Sequence, residues 1–214
     1  SASGTLIYGN YIGTTVTGTG ALSNSGAGIY IYGNANTATI GGSAAGARNL
    51  LSANSSSGVL GSGPASTGNT IEGNYIGTDA TGTADLGNTS HGIYLSNAGS
   101  NTVRGNLISG NNANGIYITG ETAAANTVQG NLIGTNAAGT VAIANAGNGV
   151  FLLNADGTLV AGNLLSGNND NGLSMASSSN NTVQGNVIGL RADQTAAIGN
   201  GSLGHLTLTL VQRA

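Results

Sequence analysis

Short apolar stretches recur along the chain at fixed distances from an Asn or a Gly, with polar residues between them. In the segment 101–118, NTVRGNLISGNNANGIYI, Asn106 lies between TV and LI, and Gly115 precedes IYI. Alternating apolar and polar positions over three or four residues predict short β-strands, and Gly and Asn supply the sharp bends between them. The same unit can be followed through most of the sequence, so we expect one repeated architecture.

Two anchor residues define the repeat. The first is an Asn that precedes two apolar residues, found at Asn10, Asn49, Asn74, Asn106, Asn131, Asn163 and Asn186. The second is a Gly that leads into another strand, found at Gly28, Gly58, Gly92, Gly115, Gly149, Gly172 and Gly204. The connection between the anchors alternates between a short form, such as 108–115, and a long form, such as 133–149.

The repeat length selects the fold. From Asn106 to Asn131 is 25 residues, which is too short for a strand–helix–strand unit and leaves room only for strands and turns. The sequence therefore predicts an all-β fold, a single-stranded parallel β-helix (β-solenoid) of about seven coils.

Side chains at alternate strand positions are expected to face inward and stack between coils. One such column comprises Ile7, Ile71, Val103, Val128, Val160 and Val183. Another comprises Ile29, Val59, Ile93, Ile116, Val150 and Leu173, followed two residues later by Ile31, Leu95, Ile118, Leu152 and Met175. No coil can bury these faces alone, but stacked coils can.

The Asn column has a structural and a functional interpretation. An internal ladder would let each carboxamide bond those of the coils above and below, with Asn in the left-handed conformation at the bend. A ligand-binding column would require the same residues to face solvent. Seven equivalent positions favour the ladder.

Two segments depart from the repeat. Residues 36–48 contain an insertion before Asn49, and GHLTLTL near the C-terminus places His205 where a core residue is expected. The alternation of Leu and Thr in this segment favours a register shift by one residue, which would turn Leu206, Leu208 and Leu210 inward.

Three strings, NTVRGNLISGNNANGIYI, NTVQGNLIGTNAAGTVAIANAGNGVFL and NTATIGGSAAGARNLLSANSSSGVL, resemble the right-handed parallel β-helix repeats of bacterial secreted and surface proteins. The resemblance covers nearly the whole chain and implies an extracellular or cell-surface location. Related right-handed helices include pectate lyases, polygalacturonases, alginate epimerases and phage tailspikes, so it implies no single activity and transfers no catalytic residue.

Composition excludes several classes of protein. There are 39 Gly, but 39% of residues are hydrophobic and only 5% are charged, which argues against disorder. The four Arg are scattered, there is no Lys to build a nucleic-acid surface, and there is no Cys or apolar run long enough for membrane insertion. We expect no cofactor, and we expect residues 1–214 to be one β-helix domain, a mature or excised segment of a larger protein.

An outward aromatic column is the main candidate binding surface. It contains Tyr30, Tyr94, Tyr117 and Phe151, with Leu60 and Ser174 at the equivalent positions. Three interpretations are open: a platform for sugar rings, an interface with another molecule, or cross-strand packing.

The loops of the long coils are a second candidate. They read GTTVTGT, GTDATGT, GTNAAGT and GLRADQT, and they are expected to project from one edge about 10 Å apart, twice the strand spacing. They form either a binding wall or a cover for apolar residues beside the ladder. Asp79 and Asp85 share one loop, but the other loops lack these carboxylates, so we predict no metal site.

No catalytic constellation is evident, because the seven acidic residues occupy different phases of the repeat. Glu72 and Arg104 are expected to pair on adjacent coils. We therefore predict a non-catalytic structural, adhesion or filament module that self-associates, with polysaccharide binding or modification as the alternative.

Overall fold

The computed structural model describes residues 3–201 and, as backbone, Leu206–Thr209. Within them, three parallel sheets of seven strands each wind into seven coils, and each coil contributes one strand to each sheet. The predicted all-β parallel β-helix is confirmed. None of the described residues forms a helix with the length and apolarity that a membrane crossing requires.

The strands are numbered β1 to β21 along the chain. The first sheet contains β1 (Leu6–Ile7), β4 (Thr39–Gly41), β7 (Thr70–Glu72), β10 (Thr102–Arg104), β13 (Thr127–Gln129), β16 (Leu159–Ala161) and β19 (Thr182–Gln184). The second contains β2 (Tyr11–Ile12), β5 (Leu50–Leu51), β8 (Tyr75–Ile76), β11 (Leu107–Ile108), β14 (Leu132–Ile133), β17 (Leu164–Leu165) and β20 (Val187–Ile188). The third contains β3 (Ile29–Ile31), β6 (Val59–Ser62), β9 (Ile93–Ser96), β12 (Ile116–Thr119), β15 (Val150–Leu153), β18 (Leu173–Ala176) and β21 (Leu206–Thr209).

The inward columns form one continuous core, as predicted. Val103 pairs in register with Ile71 and Val128, and Ile116 with Ile93 and Val150. One member of the first column was not predicted. Ile40, which is fully buried, occupies the coil 2 position of that column. The insertion lengthens its distance from Asn49, so the constant spacing used for the other coils does not find it.

The asparagine ladder is also confirmed. Each Nδ2 donates to the Oδ1 of the ladder Asn in the next coil at 2.9–3.0 Å, from Asn10 through to Asn186. The expected left-handed conformation of these Asn was wrong: all seven are described, and none has a positive φ. In most coils the preceding Gly makes the bend instead, as Gly105 does at φ 62°.

A second Asn ladder, which was not predicted from the sequence, runs parallel to the first. Its links measure 2.8–3.0 Å and join Asn24, Asn54, Asn88, Asn111, Asn145, Asn168 and Asn200. Each of these residues lies four positions before a second-anchor Gly. This constant spacing in the sequence could have predicted the second ladder.

The register shift predicted near the C-terminus is confirmed by strand pairing. Leu206 is the partner of Leu173, and Leu208 is the partner of Met175, so both occupy core-column positions of the third sheet. His205 and Leu210 lie outside the described residues.

The loops of the long coils do not project as separate fingers. Each forms a small hairpin, and the loops of coils 1, 3 and 5 lie over the following short coil; Gly18, for example, faces the side chain of Leu50. The Ala80 N–H then donates to the Gly18 carbonyl at 3.0 Å, which joins successive loops. The loops are therefore a cover, and Leu50, Leu107 and Leu164 are buried beneath them.

Candidate functional site

The insertion in coil 2 interrupts an otherwise uniform bend between the first two sheets. In coil 4 the bend comprises only Gly105 and Asn106, between β10 and β11, whereas in coil 2 it runs over 42–49, between β4 and β5. The extra residues, 42–47, are mostly exposed Gly, Ser and Ala. They stand out from a surface on which the neighbouring coils bend tightly.

A groove of about 690 Å³ lies between this insertion and the adjacent coils. Its walls include Tyr11 from coil 1, Arg48 from coil 2, and Glu72 and Tyr75 from coil 3. A second depression of about 460 Å³, bordered by Leu6 and Tyr8 among others, shares residues 42–46 with the groove. The groove thus collects aromatic and charged side chains from three coils.

Arg48 is the principal polar group of the groove. Its guanidinium carbon lies 3.8 Å from the centre of the Tyr75 ring, in cation–π geometry, and the side chain is exposed. Among the described residues it forms no ion pair. The ring holds the guanidinium by its face, so the planar fork of N–H donors can meet a carboxylate or a hydroxyl in the groove.

The carboxylate of the groove is already neutralised. Glu72 accepts a hydrogen bond from Arg104 at 2.8 Å, which confirms the predicted pair on adjacent coils. Glu72 is largely covered, with 19% of its side chain exposed, while Arg104 is 53% exposed. With Glu72 compensated, Arg48 gives the groove a net positive character although the chain as a whole is acidic.

This arrangement is suited to binding rather than to acid–base catalysis. Hydrolysis of a glycosidic bond ordinarily needs two carboxyl groups, and the groove lining offers only Glu72. Within the described part of the chain, no group of three His, Asp or Glu residues is placed to surround a metal ion.

Asp79 acts within its own loop. Its Oδ1 accepts the N–H groups of Thr83 and Ala84, and its Oδ2 accepts the Thr81 hydroxyl. Burial raises the pKa of Asp79, but these hydrogen bonds outweigh it and the pKa is lowered. Asn136 accepts equivalent bonds in the loop two coils away, so the position serves to close the hairpin.

The outward aromatic column is present in the predicted register. Tyr94 stacks on Tyr117 with ring centroids 5.1 Å apart, and Tyr117 stacks on Phe151 at 5.2 Å, with interplanar angles of 12° and 10°. Tyr30 is separated from this stack by Leu60 and stacks instead on Tyr32. Within the stack, the rings cover one another's faces. A sugar-binding or interface role for the column remains a proposal.

His91, for which the sequence predicted no role, lies against this stack. Its ring is 5.2 Å from that of Tyr94 and 4.9 Å from that of Tyr117, and its Nδ1 accepts the Asn114 backbone N–H at 3.1 Å. Burial lowers the pKa of His91 to about 4. Protonation of Nδ1 would bring its N–H against the Asn114 backbone N–H, so the fold favours the neutral ring.

We predict that His91→Asn removes an acid-sensitive contribution to stability. The pKa of His91 is about 4 in the fold and about 6.5 in an unfolded chain, so the neutral ring stabilises the fold above pH 6.5. This contribution should be lost as the pH falls from about 6.5 towards 4. Asn already occupies the equivalent position as Asn114 and Asn148, which are linked at 3.0 Å. Urea unfolding between pH 7 and pH 4 should give a flatter profile for the variant; parallel profiles would contradict the prediction.

Comparison with known proteins agrees with this architecture. A family model described as "Right handed beta helix region" matches residues 3–144 and again residues 85–209. Among solved structures, a mutant of the periplasmic alginate epimerase AlgG is similar, with a TM-score of 0.60 and 20% sequence identity over 86% of this chain. The match spans 40% of that protein's chain, and at this identity it shows the fold alone. No curated protein sequence matches.

The two family matches together span the repeat from its first strand to its last, in agreement with the three parallel sheets. The chain belongs to the right-handed β-helix family.

Proposed function

We propose that this chain is a polysaccharide-binding β-helix module whose groove holds an acidic sugar polymer. The observation that carries the proposal is Arg48, held over the Tyr75 ring in the groove and free of any ion pair among the described residues. A uronate carboxylate matches the guanidinium fork, and the aromatic rings match the apolar faces of sugars. The similar structure of an enzyme that acts on alginate supports this class of ligand.

The groove also has the form that a chain-like ligand requires. It is open, and its walls come from coils 1, 2 and 3, so a polymer can contact several coils without entering a closed cavity. Tyr11 is 49% exposed there and offers a second ring. Because Glu72 is the one carboxylate of the lining and is already paired, we propose retention of the polymer rather than its cleavage or epimerisation. The periplasmic neighbour supports a location outside the cytoplasm.

Arg48→Gln tests this function. We expect it to weaken binding to polygalacturonate and alginate about ten- to hundred-fold, because a charge-assisted bidentate contact is lost. Arg48→Lys keeps the charge without the planar fork and should give an intermediate loss. Affinity electrophoresis and calorimetry at two salt concentrations measure this, since an ionic contact weakens as salt rises.

A matched pair of aromatic variants locates the effect. Tyr11→Ala removes an exposed ring inside the groove, and Tyr32→Ala removes a ring that is 62% exposed outside it. Only Tyr11→Ala should reduce affinity for the acidic polymers. Equal affinity of the wild type and Arg48→Gln for these polymers would end the proposal.

A rigid surface or filament module is the second candidate. It is favoured by the two Asn ladders, which run without a break from Asn10 to Asn186 and from Asn24 to Asn200. Coils 1 and 7 both carry long loops, whereas within the chain long and short coils alternate. End-to-end assembly of this chain must therefore place two loop-bearing coils next to each other.

A further inference from the structure

Two of the four arginines of the chain converge on coil 3 beside the groove. Arg48 reaches coil 3 from coil 2, with its guanidinium carbon 3.8 Å from the centre of the Tyr75 ring. Arg104 reaches it from coil 4, where its Nη2 donates to Glu72 Oε2 at 2.8 Å. Tyr75 and Glu72 both belong to the groove lining, and so does Gly105, the residue after Arg104. Arg104 therefore lies at the rim of the groove that contains Arg48.

The strand register places these two arginines on opposite sides of coil 3. Within the first sheet, Glu72 pairs with Gly41 of coil 2 and with Arg104 of coil 4. Gly41 has no side chain, so of the two strand partners only Arg104 can neutralise the Glu72 carboxylate. The backbones of coils 2 and 4 are two strand spacings apart, roughly 10 Å. A few sugar residues of one polymer can cover this span.

The ion pair leaves most of the hydrogen-bond donors of Arg104 available. One hydrogen bond joins Arg104 to Glu72, whereas a guanidinium carries five N–H donors in a planar fork. The Arg104 side chain is 53% exposed, while that of Glu72 is 19% exposed. The free side of the fork therefore faces solvent, and it can bind a second carboxylate while the other side keeps its contact with Glu72.

The charges beside the groove favour a ligand that carries more than one carboxylate. Among the described residues, Glu72 offsets the charge of Arg104 and no ion pair offsets that of Arg48. We propose that Arg104 is a second carboxylate-binding residue of the groove, which therefore selects polyuronates with carboxylates on neighbouring sugars over polymers whose acidic sugars are isolated. This inference rests on the proposed function, because it concerns the same groove and the same class of ligand.

The test compares trigalacturonate with galacturonate as probes. Arg104→Gln alone would leave the Glu72 carboxylate unpaired and repel any anion, so the substitution is made in a Glu72→Gln background. There we expect Arg104→Gln to weaken trigalacturonate binding about three- to ten-fold, because the lost contact is charge-assisted but partly exposed. Galacturonate affinity should stay unchanged, since a single sugar occupies only the Arg48 end of the groove. Calorimetry measures the trimer, and NMR titration measures the weaker monomer.

Control variants separate a contact from a general effect of charge or folding. Gln129→Ala changes the exposed residue that follows Arg104 in register and should bind both probes as the wild type does. Melting temperatures of the Arg104 and Gln129 variants should match those of their parents, because these side chains are exposed. Arg104→Lys keeps the charge without the planar fork and should lose part of the trimer affinity.

The outcomes for Arg104 and for the groove as a whole are distinguishable. If Arg48→Gln weakens trigalacturonate binding and Arg104→Gln does not, this inference fails and the proposed function stands. Equal losses for the trimer and the monomer would also overturn it, since they would indicate a general effect of charge. Failure of the wild type to bind trigalacturonate would overturn this inference, while the longer polymers judge the proposed function separately.

Discussion

Asn106→Ala is expected to lower the free energy of unfolding by about 3–5 kcal/mol, because it leaves several buried polar groups without partners. The Asn106 Oδ1 accepts both the backbone N–H and the Nδ2–H of Asn74, at 2.9 and 3.0 Å. Its Nδ2 donates to Asn131 Oδ1, to the Ile71 carbonyl and to the Arg104 carbonyl. Alanine replaces none of these bonds, and water cannot reach a residue that is 1% exposed.

Two variants calibrate this loss. Asn112→Ala removes the same side chain from an exposed position six residues away and should change stability by less than about 0.5 kcal/mol. Asn10→Ala removes the exposed ladder member of coil 1, whose Nδ2 has solvent as an alternative, and should cost less than Asn106→Ala. Urea unfolding of the three variants measures the differences. If Asn106→Ala and Asn112→Ala were equally stable, the ladder would not be a source of stability.

Gly77→Ala is expected to lower the free energy of unfolding by more than about 4 kcal/mol, since it combines backbone strain with a steric clash. Gly77 has a φ of 89° and is buried at the start of a long loop. A Cβ there would overlap the Ser109 carbonyl oxygen of the next coil and lie 2.5 Å from Asn111 Oδ1. The clash involves backbone, so neighbouring side chains cannot relieve it.

Gly105→Ala is the matched control. Gly105 also has a left-handed backbone, with φ 62°, but a Cβ there would meet no atom within 4 Å. Only the conformational cost of about 1–2 kcal/mol should remain. Thermal and urea unfolding compare the two variants, and equal losses would show that the close approach of the coils at Gly77 does not matter.

The periodicity of the sequence predicted most of the fold. Asn106, Val103, Ile116 and Tyr117 were assigned to the ladder, the core and the outward column, and each occupies that place. Such assignments succeed because stacked coils impose the same environment at the same phase of every repeat. The second ladder obeys the same rule, and its constant spacing from the second anchor made it predictable in principle.

The candidate site was not predictable in this way. The groove depends on Arg48 lying over Tyr75 and on Tyr11 and Glu72 converging from other coils, across an insertion whose path has no counterpart in the repeat. For the loops, the sequence left a binding wall and a cover as alternatives, and the structure shows the cover. The loops of coils 1, 3 and 5 reach over the following coil and bury its leucine, Leu50, Leu107 or Leu164.

The number of coils, the alternation of long and short coils, the core columns and the first ladder followed from periodicity, because stacked coils place similar residues at the same phase of each repeat. What lies where the periodicity breaks depends on packing in three dimensions. The groove beside residues 42–47 is formed by side chains distant in sequence, and its shape depends on how neighbouring coils pack.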